Sequence, residues 1–287
     1  MITIDSKLTL VTGLHIGGAD DGMKIGGVDS PVMRREVFCD EESGEVKFGY
    51  KRGIEEPYIA GSSLKGKVRS LLEYSLGLIR VARLLDKKRY KNDINDIKEI
   101  EKEYKAGGVI DTQFIKTLNY KNNYTMSDKQ SIEKKAQLII LLFGESGANS
   151  QDITRVIFRD CFITKEVRKA YLDNKIKLFE SKYENVIDRK TGTTIAGGLR
   201  QIERVPSAVE FDFTLSIRVF DETNRELFKN TILLGLKLLE LDALGGNGSR
   251  GYGRVRFDEL KIDDNLIELN ESIKELNEKI KNEINQG

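Results

Sequence analysis

Residues 209–257, VEFDFTLSIRVFDETNRELFKNTILLGLKLLELDALGGNGSRGYGRVRF, read as strand, buried helix, glycine loop and strand, and that order decides the fold class. Val209, Phe211, Phe213, Leu215, Ile217 and Val219 alternate with Glu210, Asp212, Thr214, Ser216 and Arg218, the period of a strand with one buried face. Thr223 and Glu226 have the spacing of a capping box. The run NTILLGLKLLELDALG is apolar nearly all round and predicts a deeply buried helix, which Gly245-Gly246 is expected to end. Arg250, Arg254 and Arg256 then lead through a glycine-rich loop into the last strand.

Working outward, the N-terminal half supplies a matching unit. Ile2, Ile4, Leu8 and Leu10 alternate with polar residues, which predicts a first strand. It ends in GLHIGGADDGMKIGGVDSPVMR (13–34), a loop with six glycines and the only histidine of the chain. Glycine costs backbone entropy on ordering and offers no side chain to pack, so this run is a loop and not a central strand. Residues 36–56 are polar, with a hairpin expected at Ser43-Gly44. After Pro57, Ser62 or Ser63 is positioned to cap a helix whose stripe runs Leu64, Val68, Leu71, Leu72, Ser75 and Ile79. Residues 153–164 (ITRVIFRDCFIT) predict a further strand.

The resulting order is β-α-β-β-α-β, an α+β fold of ferredoxin-like or RRM-like type. We expect a single domain over 1–287 with core segments 1–83, 151–165 and 209–262. The charge-rich stretch 84–150 reads as a helical insertion, 166–208 as a β-hairpin arm, and 263–287 as an amphipathic C-terminal helix carrying Leu269, Ile273, Leu276, Ile280 and Ile284.

Composition excludes several function classes. With 39% hydrophobic residues in 287, the chain can bury a substantial core. The longest apolar run, 138–143, falls far short of a membrane span and the first ten residues lack a signal-peptide core, so a cytoplasmic protein with no membrane partner is expected. The 47 basic residues against 46 acidic ones leave a net charge of +1, so any polyanion-binding surface must be local. Two cysteines and one histidine cannot build a four-ligand structural zinc site within the chain. A Ser-His-Asp triad would have to use His15, far in sequence from any candidate nucleophile.

A Walker phosphate loop needs GxxxxGK[ST], and GSSLKGK has too few residues between its glycines. The dinucleotide fingerprint fails because 245–253 lies between helix and strand, the reverse of the required order. What remains is backbone N–H groups with nearby cations around an extended polyanion. Lys65, Lys67 and Arg69 crowd the first turns of a helix, where the macrodipole disfavours cations by about 0.3–1 kcal/mol each. A phosphate at that N-terminus would reverse the sign; a solvated basic face is the alternative reading.

The pieces LHIGG (14–18), GGVDSPVMR (26–34), PYIAGSSLKGKVRSLLE (57–73), RQIERVPSAVEF (200–211) and GGNGSRGYGRV (245–255) resemble the RAMP superfamily. Within it, the LHIGG and GGVDSP pair is similar to the repeating backbone subunit of type III-A CRISPR effectors, the third Csm subunit. The resemblance implies a subunit that polymerises with other copies of itself along a CRISPR guide RNA, beside other Csm-type subunits. It also implies cleavage of target RNA once per subunit, with Asp29 as the catalytic residue and ligand of a divalent metal, Mg²⁺. Guide contacts implied are His15, Gly17, Gly18, Lys24, Ser62, Ser63, Lys65, Lys67, Arg69, Gly246, Ser249 and Arg250, with Arg200 and Arg204 at the arm. Ala60 departs from an expected proline. A non-catalytic guide-binding scaffold, a guide-processing nuclease using His15 as base, and a nucleotide-binding enzyme are the competing readings.

Overall fold

The computed structural model describes residues 1–18, 30–47, 52–85, 110–120, 124–145, 152–269 and 272–286. Its first strand, β1 (Ile2–Leu10), buries Ile2, Ile4, Leu8 and Leu10, as alternation dictates. β1 lies between β8 (Glu210–Ile217) and β9 (Val255–Ile262), antiparallel to both. β4 (Val156–Phe158) and β5 (Cys161–Ile163) pair with the far side of β8. β3 (Arg52–Ile59) continues the sheet from β5, and β2 (Arg34–Cys39) forms a hairpin with β3. At the other edge lies β10 (Asn265–Leu266), so the order is β10-β9-β1-β8-β5-β3-β2, antiparallel throughout.

Helices cover one face of this mixed α+β architecture. α1 (Gly61–Ser75) crosses α6 (Arg225–Leu241), and α2 (Leu78–Leu85), α3 (Thr112–Tyr120) and α4 (Met126–Phe143) pack onto the same core. A Cβ on Gly235 would come within 2.6 Å of Val68 Cγ1, so the glycine inside α6 lets the two helices approach. α6 is apolar nearly all round because α1 packs on one side and α7 (Ile273–Gln286) on another. α7 buries Leu276, Ile280 and Ile284. The apolar half of α4 joins the central core through Ala136, Leu138, Ile139 and Leu142. Between β5 and β8 the chain forms α5 (Lys165–Leu172) and then a separate two-stranded hairpin, β6 (Glu180–Glu184) with β7 (Arg200–Arg204).

Several local expectations are corrected. Neither Ser62 nor Ser63 caps α1: Ala60 is the N-cap and makes no side-chain cap bond, while the Gly61 N–H donates to Asp160 Oδ1 at 2.8 Å. Gly61 is required there, because a Cβ would lie 2.5 Å from the Phe158 carbonyl oxygen. Thr223 and Glu226 form no capping box; the Asp221 side chain accepts the Thr223 N–H, and Glu226 pairs with Lys229. The expected strand 153–164 is two strands broken at Arg159-Asp160, and α6 ends at Leu241, ahead of Gly245.

Asp160 thus replaces a local cap with one supplied from 99 residues away. We expect Asp160→Ala to cost about 1–2 kcal/mol of stability, with Asp160→Asn retaining most of it. Urea midpoints of the three proteins would test this, and an unchanged Asp160→Ala midpoint would disprove the cap.

Candidate nucleic-acid interface

β1 ends, and β8 and β9 begin, at the same end of the sheet, where Thr9 faces Glu210 on one side and Arg256 on the other. Both glycine-rich segments therefore leave the sheet together. The Val11 N–H donates to the Arg254 carbonyl at 2.8 Å, the Gly253 N–H to Gly13 at 2.9 Å, and the Gly246 N–H to His15 at 2.9 Å. This close approach explains two glycines. Gly253 has φ +73° and a Cβ there would sit 1.9 Å from the Leu244 carbonyl oxygen; Gly245 has φ +74° and would meet the His15 carbonyl oxygen at 2.3 Å.

The other side of residues 13–18 is closed by two more segments. Leu14 exchanges backbone hydrogen bonds with Val205 at the foot of the arm, and the Met33 N–H donates to the Ile16 carbonyl at 2.8 Å. His15 is 8% exposed and sits at the junction. Its Nδ1 lies 2.7 Å from the Glu203 carbonyl oxygen and its Nε2 3.3 Å from Ser30 Oγ. The Glu203 carboxylate accepts the Val32 N–H at 2.9 Å and also pairs with Arg34. The imidazole is therefore a strut between the arm and residues 30–34, with both ring nitrogens engaged internally.

α1 joins the same end of the molecule. Lys67 Nζ lies 3.0 Å from Asp242 Oδ2, at the start of the C-terminal glycine loop. Ser62 is exposed and Ser63 and Lys65 are half-buried. Burial, and then the Arg69 charge, push the Lys65 ammonium below its usual range, and Lys65 makes no ion pair among the described residues, so an incoming anion would relieve it. Arg69 is turned inward: it donates to Glu73 Oε1 at 2.8 Å and to the carbonyls of Gly144 and Ile110 at 2.6 and 2.7 Å. Arg204 pairs with Glu180 at 2.6 Å and lies over the Tyr252 ring. Gly17, Gly246, Ser249, Arg200 and Arg250 are exposed, and Gly18 packs against the backbone of Met33. Lys24 and Asp29 lie outside the described residues.

The structure thus brings together 13–18, 30–34, the base of α1, the foot of the arm and 244–253. Residues the sequence reading did not single out include Asp160, Glu203 and Glu184. Glu203 lies in RQIERV, where the apolar residues Ile202 and Val205 are three apart and no alternation marks an inward acid. Among the described residues no three His, Cys, Asp or Glu side chains gather as a metal site, and no helix is long and apolar enough to cross a membrane.

The RAMP superfamily matches residues 7–256, and the chain belongs to that superfamily. Within it, the relatives are Csm3 proteins. A protein of Methanocaldococcus jannaschii named CRISPR system Cms endoribonuclease Csm3 is 34% identical over 262 residues, covering 91% of this chain and 80% of the relative. Proteins of the same name from Streptococcus thermophilus and Mycobacterium tuberculosis are 32% and 33% identical, over 91% and 93% of this chain and 88% and 93% of theirs.

Proposed function

We propose that this chain is a guide-RNA-binding backbone subunit of a type III-A CRISPR effector and the endoribonuclease within it, cutting target RNA at regular intervals. Its partners are the CRISPR guide RNA, the target RNA, further copies of the chain and other Csm-type subunits, in the cytoplasm. The core is of ferredoxin-like type; the order β9-β1-β8-β5 with α1 and α6 on one face supports that reading. One observation carries the functional proposal: two glycine segments far apart in sequence, 13–18 and 244–253, are hydrogen-bonded into a single edge beside the cations of α1 and the arm.

Such an edge suits a ribose-phosphate chain. Exposed backbone N–H groups and Ser62, Ser249 and Arg200 serve as phosphate contacts that carry no sequence information. The near-neutral net charge predicts modest affinity for the lone chain, falling steeply with salt. Cutting is assigned to Asp29, with Mg²⁺ bound only when RNA is present. A bound Mg²⁺ would neutralise charge at the scissile phosphate. Mg²⁺ is held by one or two carboxylates plus waters and phosphate oxygens, so a preformed cage is not required of the protein. The chain's own work is positioning: it holds RNA along the glycine edge and fixes residues 30–34 against the arm through His15 and Glu203.

Coexpression with a guide and its companion subunits tests the binding half. The purified protein should carry RNA, read from the 260/280 nm absorbance ratio, which is sensitive here because the chain has no tryptophan. Recovery free of nucleic acid would refute the proposal.

A further inference from the structure

Between the arm and the C-terminal glycine loop lies a cleft of about 370 Å³ lined by Lys182, Glu184, Asn185, Val186, Arg200 and Arg250. It holds three cations around one acid. Arg250 Nη1 donates to Glu184 Oε2 at 2.9 Å, and Lys182 Nζ lies 3.6 Å from Glu184 Oε1. Arg200 stands directly opposite Glu184 in the register of β6 and β7, so the two side chains share one face of the hairpin. Lys182 also donates to the Arg250 carbonyl at 3.1 Å and lies 4.3 Å from the centre of the Tyr252 ring.

Exposure within the cluster is uneven. The Glu184 side chain is 17% exposed, against 52% for Arg250 and 33% for Lys182. Burial pushes its carboxyl up, but its polar neighbours, with Arg250 and Lys182 in direct contact, outweigh that and hold it below the usual range. The acid is ionised at neutral pH. A carboxylate and a phosphodiester present alike paired anionic oxygens to guanidinium and ammonium groups. Ion pairs between cations this exposed add little to folding stability, so the larger consequence of the acid is for a polyanion that approaches them.

We propose that Glu184 occupies a phosphate seat: its carboxylate stands where an RNA phosphate is received by Lys182, Arg200 and Arg250, and RNA must displace it. The inference rests on the reading that the chain binds an RNA backbone, and adds a residue that opposes binding. Glu184 keeps the arm's cations occupied in the free chain and lowers affinity for short, adventitious RNA. A long guide, engaged along the whole glycine edge, has enough other contacts to evict it.

Fluorescence anisotropy of the full-length chain with a labelled short single-stranded RNA, in KCl between about 50 and 200 mM, tests this. Glu184→Gln keeps a hydrogen-bond acceptor for Arg250 and removes the charge. It should tighten binding roughly three- to tenfold and steepen the slope of log affinity against log salt by about 0.7, the increment for one further phosphate on a single strand. Glu226→Gln, the same charge change on α6, should leave affinity unchanged, and in an Arg250→Ala background the gain from Glu184→Gln should shrink. Unchanged or weakened binding by Glu184→Gln, or equal tightening by Glu226→Gln, would overturn the seat. If neither the wild-type chain nor Glu184→Gln binds RNA, the RNA reading falls and the seat with it, whereas wild-type binding with no gain in Glu184→Gln overturns the seat alone.

Discussion

Asp29→Ala, assembled into the complete complex with guide and given labelled complementary RNA in Mg²⁺, is expected to lose the evenly spaced cleavage products while the guide stays bound. The expected loss in rate is about 10²–10⁴-fold, the range for a single acid that moves a proton or holds a catalytic charge. Guide binding should survive because residues 30–34 have anchors of their own. Ser30 meets His15, Val32 meets Glu203 and Met33 meets Ile16. Asp29→Asn should fail equally, since an amide neither carries charge to a metal nor accepts a proton. Chelation separates the two roles: a wild-type complex that still cuts in EDTA would leave Asp29 as a base and not a ligand. A full product ladder from Asp29→Ala would move catalysis elsewhere and favour the scaffold reading.

What the sequence disclosed, and what it hid, follows from the range of the interactions. β1 and β8 were legible because a half-buried strand repeats every two residues, and each of their inward positions is buried. α6 was legible from composition, for only a helix packed on several sides can be so apolar. Its capping was not, because Asp221 and the turn before it won the Thr223 N–H from a pattern that looked correct locally. The junction at His15 was half visible. Its glycines announced a close approach, but the partner segments lie near residues 30, 203 and 246, and no periodicity links them. One missed element had a readable signal. Asp263 and Asp264 both have positive φ, 47° and 65°, which aspartate tolerates better than most side chains; they turn β9 into β10 where a helix was expected to start.

Glu56→Ala is expected to be the most destabilising single change in the wing formed by β2, β3 and α5, at about 3–5 kcal/mol. Glu56 is fully buried in β3, read from sequence only as part of a polar stretch. Arg168 of α5, itself 5% exposed, donates to both its oxygens, at 2.7 Å through Nε and 3.2 Å through Nη2. Arg35 of β2 donates to Oε1 at 2.9 and 2.6 Å while its guanidinium lies 3.3 Å from the centre of the Phe162 ring. The remaining Arg168 donors reach the carbonyls of Gly44 and Ile163 at 2.9 and 3.0 Å. One carboxylate therefore joins two strands, a turn and a helix, and its removal strands a buried guanidinium with half its partners gone. The pair itself need not be stabilising relative to an apolar one, because both ions were desolvated to make it. Hence the double variant Glu56→Leu with Arg168→Leu should cost less than Glu56→Ala alone, a non-additivity read from urea midpoints at unchanged slope. A double variant that costs as much as the sum of its singles would show that the two side chains act independently. Because β2 continues from residues 30–34 and β3 runs into Gly61, the same loss should also loosen the segments on either side of the proposed RNA edge. Hydrogen exchange across 30–39 and 52–61 should rise in Glu56→Ala while exchange in β1 and β8 stays slow.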